Sequence, residues 1–336
     1  MTGLPAPLND VPQWETRLPA HISMVCPGEN FLKVIFMKET KPPKSIDEQI
    51  SILKRHGCII RNKSFTEEIL SKINYYRFSA YFPPVKNNNG MYLSGTTFER
   101  VFHIYEFDRE LRSLLFRAIE CIEIALRARL SYMHGMKYGA LVYLNKENFN
   151  PRHDTKMFQG NIKGVISYQT EKEISDHEKK DPFLEKELFV KHHKEKYNGQ
   201  FPIWVVIELF TFGMLSRFYS DLHTSDQKQI ARQYHTSYKV LESWLHCCTD
   251  VRNICAHYGR LYYRNFTSTL SGFMPKKNVR QCTWAMMHVI KSLYPFPDKW
   301  EKDFMPQMEN IMDKYSKDID LKHLGFPRNW KEELMN

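Results

Sequence analysis

The chain has 336 residues, a formal net charge of +10 from 48 Lys plus Arg against 38 Asp plus Glu, and seven cysteines. That length buries a full core without staples, and an odd cysteine count with no CxxC spacing argues against a disulfide framework or a zinc knuckle and predicts reduced thiols in a cytoplasm. The longest apolar run, Ile203 to Leu215, is broken by Glu208 and too short to cross a bilayer, so no membrane association is expected; the basic excess suits either a polyanion or an ordinary solubilising surface.

Residues 1–43 carry seven of the 17 prolines and no sustained period, which predicts an extension outside the core, with 44–336 as a single helical domain. Ile46, Ile50 and Leu53 at helical spacing predict a first helix stopped at Gly57. An aromatic-dense segment, Tyr75 to Tyr81 (YYRFSAY), follows, to which physics alone assigns no role. The clearest helix runs from about Thr97 to His134, opened by a Thr96 to Glu99 capping box and closed by Gly135; Val101, Leu111, Leu115, Ile119 and Leu126 give it a wide apolar stripe. Between about 145 and 200 the chain is polar and charged and reads as short helices and loops. Pro202 starts a further helix expected to reach Leu222, Ser225 and Ser237 look like N-caps, and a motif helix is predicted over about 238–264. A basic turn with Lys276, Lys277 and Arg280, a helix near 282–293 and a polar tail complete the chain. No period-two pattern persists, so the class is all-α.

Chemistry concentrates in VRNICAHYGRLYYR, residues 251–264. Arg252 supplies a permanent cation, and His257 a group that titrates near neutrality. A neutral imidazole can take the proton from a ribose 2′-hydroxyl as it attacks the adjacent phosphate, while a guanidinium offsets charge on the phosphoryl oxygens; no metal or cofactor is needed, and 2′,3′-cyclic phosphate ends result. Spacing alone proves little, because Arg127 and Arg129 with His134, and Arg217 with His223, have comparable spacing. On a regular helix Trp244, Cys248, Val251, Ile254, Cys255 and Tyr258 form an apolar stripe, with Asn253, His257, Arg260 and Arg264 opposite. Arg252 lies about 140° from His257, so the two converge only through a long reach, a local distortion or a second subunit; a solvated polar face is the alternative.

Glu120, Glu123 and Arg127 share one face of the long helix, either as a solvated, salt-bridged edge or to orient Arg252 or His257. Glu208 stands among Trp204, Ile207, Phe210 and Leu215, which predicts burial with a basic partner such as Arg252 and a tie between the two motif helices. His192 and His193, and Cys247 and Cys248 beside His246, read as a solvated face and as helix packing, and no metal is assigned. Tyr258, Tyr262 and Tyr263 offer rings for bases or for the core.

VRNICAHYGRLYYR, with PIWVVIELFTFGMLS from Pro202 to Ser216, YYRFSAY from Tyr75 to Tyr81 and KPPKSIDEQISILKRHG from Lys41 to Gly57, resembles the Abi-like proteins of the AbiD and AbiF type, from bacterial phage abortive-infection systems, over roughly residues 40–270. The resemblance implies a HEPN-like helical bundle with additional helices. Its signature of Arg, polar residue and His would be met here by Arg252, Asn253 and His257. It further implies a metal-independent endoribonuclease linked to a small structured noncoding RNA, and either a homodimer or a degenerate second half-site, for which Arg129 to His134 has the spacing but not the polar residue after Arg. In that reading His257 is the general base or acid, Arg252 binds the scissile phosphate, Asn253 orients either, and Arg260, Arg264, Lys276 and Lys277 track the RNA backbone. The alternative is a non-catalytic RNA-binding protein holding a small regulatory RNA.

Overall fold

The longest helix begins where Thr97 leaves the extended conformation and its hydroxyl accepts the amide of Arg100. In this computed structural model, which describes residues 42–151, 160, 164, 188–266, 270–272 and 282–335, that helix (α4) runs Phe98–Tyr138, 41 residues and about 60 Å at 1.5 Å per residue. Val101, Ile104, Leu111, Leu115, Ala118, Ile119, Ile122, Leu126 and Leu130 are buried along it. The cap is Thr97 rather than Thr96, and the Glu99 carboxylate reaches back to the amide of Asn62 instead of closing a box. Gly135 does not end the helix. A Cβ there would stand 3.0 Å from Ile203 Cγ2, so the glycine admits a close crossing, and the helix stops at Gly139, whose φ of 92° few side chains tolerate.

Before it lie α1 (Ile46–Arg55), the helix that the spacing of Ile46, Ile50 and Leu53 predicted, capped by a Ser45 to Glu48 box, then α2 (Lys63–Lys72) and the short α3 (Tyr75–Ser79). After it come α5 (Leu188–Tyr197), α6 (Ile203–Val206), α7 (Phe212–Asp221) and α8 (Thr224–Arg232). The single helix expected from Pro202 to Leu222 is broken: after a 3-10 turn at Ile207–Leu209, Phe210 is extended and Thr211 caps a new helix through its bond from Met214 N. Thr211 offers its hydroxyl where the chain turns, and the freed Phe210 carbonyl accepts Arg127 of α4 at 2.8 Å. Ser225 lies inside α8, whose N-cap is His223.

The motif helix α9 (Tyr238–Ala256), capped by Ser237, packs against both α4 and α7. It is followed by α10 (Thr283–Leu293), α11 (Met305–Lys314) and α12 (Trp330–Met335). The C-terminal stretch read as a polar tail is folded: Trp300, Met305, Met308, Trp330 and Leu334 are buried, and α11 lies against α4. Its apolar residues are sparse in sequence but large, so a few rings and thioethers suffice to seat it. Among the described residues there is no strand, only isolated bridges such as Ile59 with Thr97, and the protein is all-α. Lys44–Asn336 forms one compact unit.

Candidate functional site

Helix α9 stops at His257, seven residues short of the predicted end at Arg264. The amide of Tyr258 bonds the Cys255 carbonyl at 3.2 Å and that of Gly259 bonds Ile254 at 2.7 Å, the paired bonds of a Schellman turn. Tyr258 takes the left-handed position at φ 57°, normally left to glycine. His257 is thus the C-cap, solvent-exposed, with its own amide on Asn253 O. Tyr258, expected on the apolar stripe, is 68% exposed, and Arg260 and Arg264 are not on the helix at all, because the turn redirects the chain.

Arg252 sits on the α4 side of α9. Its Nε lies 3.8 Å from Glu123 Oε2, and its guanidinium carbon is 5.8 Å from the centre of the Phe116 ring. The other oxygen of Glu123 takes a 2.6 Å bond from Arg127 Nη2, and Arg127 also bonds the Phe210 carbonyl. Glu123, its side chain only 12% exposed, therefore stands between two arginines, and the reading of it as a solvated edge does not hold; Glu120 is exposed. Glu208 differs from expectation too: its side chain is 54% exposed and its partner is Arg127, at 3.6 Å, not Arg252. Trp204, four residues earlier, is 54% exposed as well, so Glu208 lies on the solvent face of this segment while Ile207 and Phe210 enter the core.

Asn253 is exposed on the other side of the helix, where it borders a hollow of about 220 Å3 with Asp250 and Arg264. Arg264 donates to the Arg260 carbonyl at 3.1 Å, and burial lowers the Arg260 guanidinium below its ordinary value. Among the described residues no hydrogen bond or ion pair joins Arg252 to His257, as the 140° separation foretold. Lys276 and Lys277 lie outside the described residues.

Two supports of this turn carried no assignment in the sequence. Arg77 Nη1, from YYRFSAY, donates to the Tyr258 carbonyl at 2.7 Å. Asp108, fully buried on α4, accepts Leu261 N at 3.0 Å and Tyr262 N at 2.7 Å with one oxygen, and the Tyr81 hydroxyl at 2.7 Å and Arg112 with the other. Burial drives the Asp108 carboxyl upward, while Arg112, Tyr81 and the two amides favour the anion. Arg112 is buried too, yet Asp108 and Tyr81 hold its guanidinium above the ordinary value. The signal was an Asp and an Arg at i, i+4 inside the apolar stripe, which has to be a buried pair.

A family model described as Abi-like protein matches residues 68–263, more than half of the chain. The protein belongs to the Abi-like family. No curated protein and no solved structure matches it significantly. Membership supports a role in abortive infection, the defence of bacteria against phage. The matched span of this Abi-like chain holds Arg77, Tyr81, Asp108, Arg112, Glu123 and the motif up to Tyr263; Arg264 follows it, and the stretch from Lys41 to Gly57, which also suggested the resemblance, precedes it.

Several other histidines and cysteines among the described residues are held in packing. His134 is buried against Tyr138, Phe149 and Phe218, and burial pulls its imidazole down to about 4 against a bond to Asn148 O, which disposes of Arg129 and His134 as a second half-site. Cys247 and Cys255 are buried thiols pushed up to about 12, and Cys248 is likewise raised by burial. His193 bonds Phe189 O and stacks on Tyr197 and Phe201. Tyr262 is core, whereas Tyr263 is 48% exposed. No described helix is long and apolar enough to cross a membrane.

Proposed function

We propose that this Abi-like protein is a metal-independent endoribonuclease of abortive infection with a HEPN-type site, in which Arg252 holds the scissile phosphate and His257 moves the 2′-hydroxyl proton. The observation that carries the reading is the place of Arg252: its guanidinium stands over the Phe116 ring with Nε 3.8 Å from Glu123, a carboxylate itself held by Arg127, within ion-pair distance but with no hydrogen bond to it, so the cation stays near one position and its N–H groups remain open to a developing phosphoryl charge. His257 adds a solvent-exposed imidazole at the end of the same helix, open to a substrate. Asn253, one turn earlier, orients the substrate or the imidazole, and Arg260 and Arg264 follow the strand beyond the turn. A homodimer supplies what one chain lacks, since Arg252 of one protomer and His257 of its partner need not share a helix face. Cleavage of total RNA in EDTA tests this: the wild type yields 2′,3′-cyclic phosphate ends, and Arg252→Ala with His257→Ala yields none. Metal-dependent cleavage, or ends of another kind, overturns it.

The separation of Arg252 from His257 favours a second reading, a non-catalytic protein that holds a small structured RNA on the same basic surface. Under it no cleavage occurs, and an RNA co-purifies with wild type and double variant alike, released as salt rises.

A further inference from the structure

On the Arg252 side of α9, a cleft of about 770 Å3 opens between α2, α3, α4 and the last turn of the motif helix, within the size range of sites that enclose small ligands. Lys72, Arg77, Arg109 and Arg112 line it, and none of its lining residues is acidic. Arg112 is committed to buried Asp108, whereas Arg109, its side chain 55% exposed, is forked onto Glu106 through Nε and Nη2 and among the described residues keeps Nη1 for a phosphate. Lys72 meets only exposed Glu68, a surface pair that a phosphate readily displaces, and Arg77 spends one N–H on Tyr258 O and keeps the rest of its fork. Phe116, 36% exposed and the ring beneath the Arg252 guanidinium, lines the cleft too, as does Tyr258, 68% exposed. Arg109, Arg112 and Phe116 follow one another along one face of α4, and Arg77 bonds the backbone of Tyr258, so the cleft sets cations beside rings and meets the two needs of a single-stranded nucleotide, its phosphate and its base.

We infer that this cleft is a nucleotide subsite for single-stranded RNA: Lys72, Arg77 and Arg109 take the phosphate of the residue next to the scissile bond, while its base lies against Phe116 or Tyr258. This deepens the proposed function and rests on it for the position of the scissile bond. Because Phe116 touches both the cleft and Arg252, a strand leaving the cleft passes directly onto the arginine of the motif. No residue that lines it comes from Asn253, Arg260 or Arg264, so the strand would be held on both sides of the motif.

The test uses the full chain carrying Arg252→Ala and His257→Ala, so that bound RNA stays intact, titrated with a fluorescein-labelled single-stranded oligouridylate by anisotropy from 50 to 300 mM salt. Adding Lys72→Ala and Arg109→Ala, both on exposed side chains, is expected to weaken binding about tenfold at low salt and to flatten the log–log salt dependence by about 0.7, the share of one phosphate on a single strand. Lys299→Ala with Lys302→Ala removes the same charge elsewhere and is expected to change little. Equal losses in the two pairs, an unchanged slope, or no affinity for the oligonucleotide in the parent overturns the subsite. The nuclease reading fails separately, by the wild type leaving RNA uncut while the cleft variants still lose binding.

Discussion

Arg77 donates to the carbonyl of Tyr258 at 2.7 Å across 181 positions of sequence. The bond fastens the YYRFSAY segment to a turn whose central tyrosine sits in a conformation that L side chains disfavour, and so it helps to hold His257 at the helix end. Arg77→Ala is expected to cost about 1.5 kcal/mol, the low end for a hydrogen bond from a charged donor, and to speed exchange of the Gly259 amide about tenfold. Unchanged exchange there would mean that the turn stands without Arg77.

Glu123 is expected to act through Arg252. Glu123→Gln keeps the shape but removes the charge between Arg127 and Arg252, and RNA cleavage should fall about 10- to 100-fold, the effect of a misplaced reacting group, while the thermal midpoint moves by a few degrees at most. Glu120→Gln, one turn earlier and exposed, is the control. Equal losses in both variants, or none in either, would remove Glu123 from the site.

Asp108 joins α4 to the chain just after the motif. Asp108→Asn leaves Arg112 buried with an uncompensated charge and is expected to destabilise the fold by about 3–5 kcal/mol, read as a lower urea midpoint with unchanged slope. A loss below about 1 kcal/mol would show that the loop is held elsewhere.

Stability is expected to fall in acid through His134. Its folded value, about 4, lies below the unfolded 6.5, so between these the unfolded chain binds more protons, and stability rises with pH across that window. Full expression of the shift is worth about 3 kcal/mol, and His288, also lowered to about 4 by burial, adds in the same direction. Urea midpoints from pH 7 down to 4.5 should therefore decline, and His134→Phe, which keeps an aromatic ring against Phe149 and Phe218, should shallow the decline. An equally steep decline in that variant would assign it to other groups.

Tyr258→Gly separates backbone from side chain. Glycine accepts φ 57° without a Cβ, so the thermal midpoint should hold or rise, by up to about 1 kcal/mol in stability, while loss of the exposed ring weakens oligonucleotide binding. A clear loss of stability would mean that the ring packs in solution.

Sequence periodicity went far for this protein. The stripe of α4, the first helix from Ile46, the cap at Ser237, the helix near 282–293 and the all-α class are local properties, set by which residues recur every three or four positions and which side chains satisfy an open helix end. The angular gap between Arg252 and His257 was legible too, because it follows from helix geometry alone. Where local signals competed, sequence reading erred: Gly135 looked like a stop and is a crossing point, and the apolar run after Pro202 concealed a break at Phe210 whose carbonyl is satisfied by Arg127.

The chain by itself determined that it would be helical, basic and centred on the motif. Tertiary structure alone decided which charges meet: Glu123 with Arg252, Glu208 with Arg127, Asp108 with the backbone at Leu261 and Tyr262, and Arg77 with Tyr258. Each pair joins residues from different elements, and the rotation of one helix against another, set by packing of their apolar faces, fixes which polar side chains fall within reach.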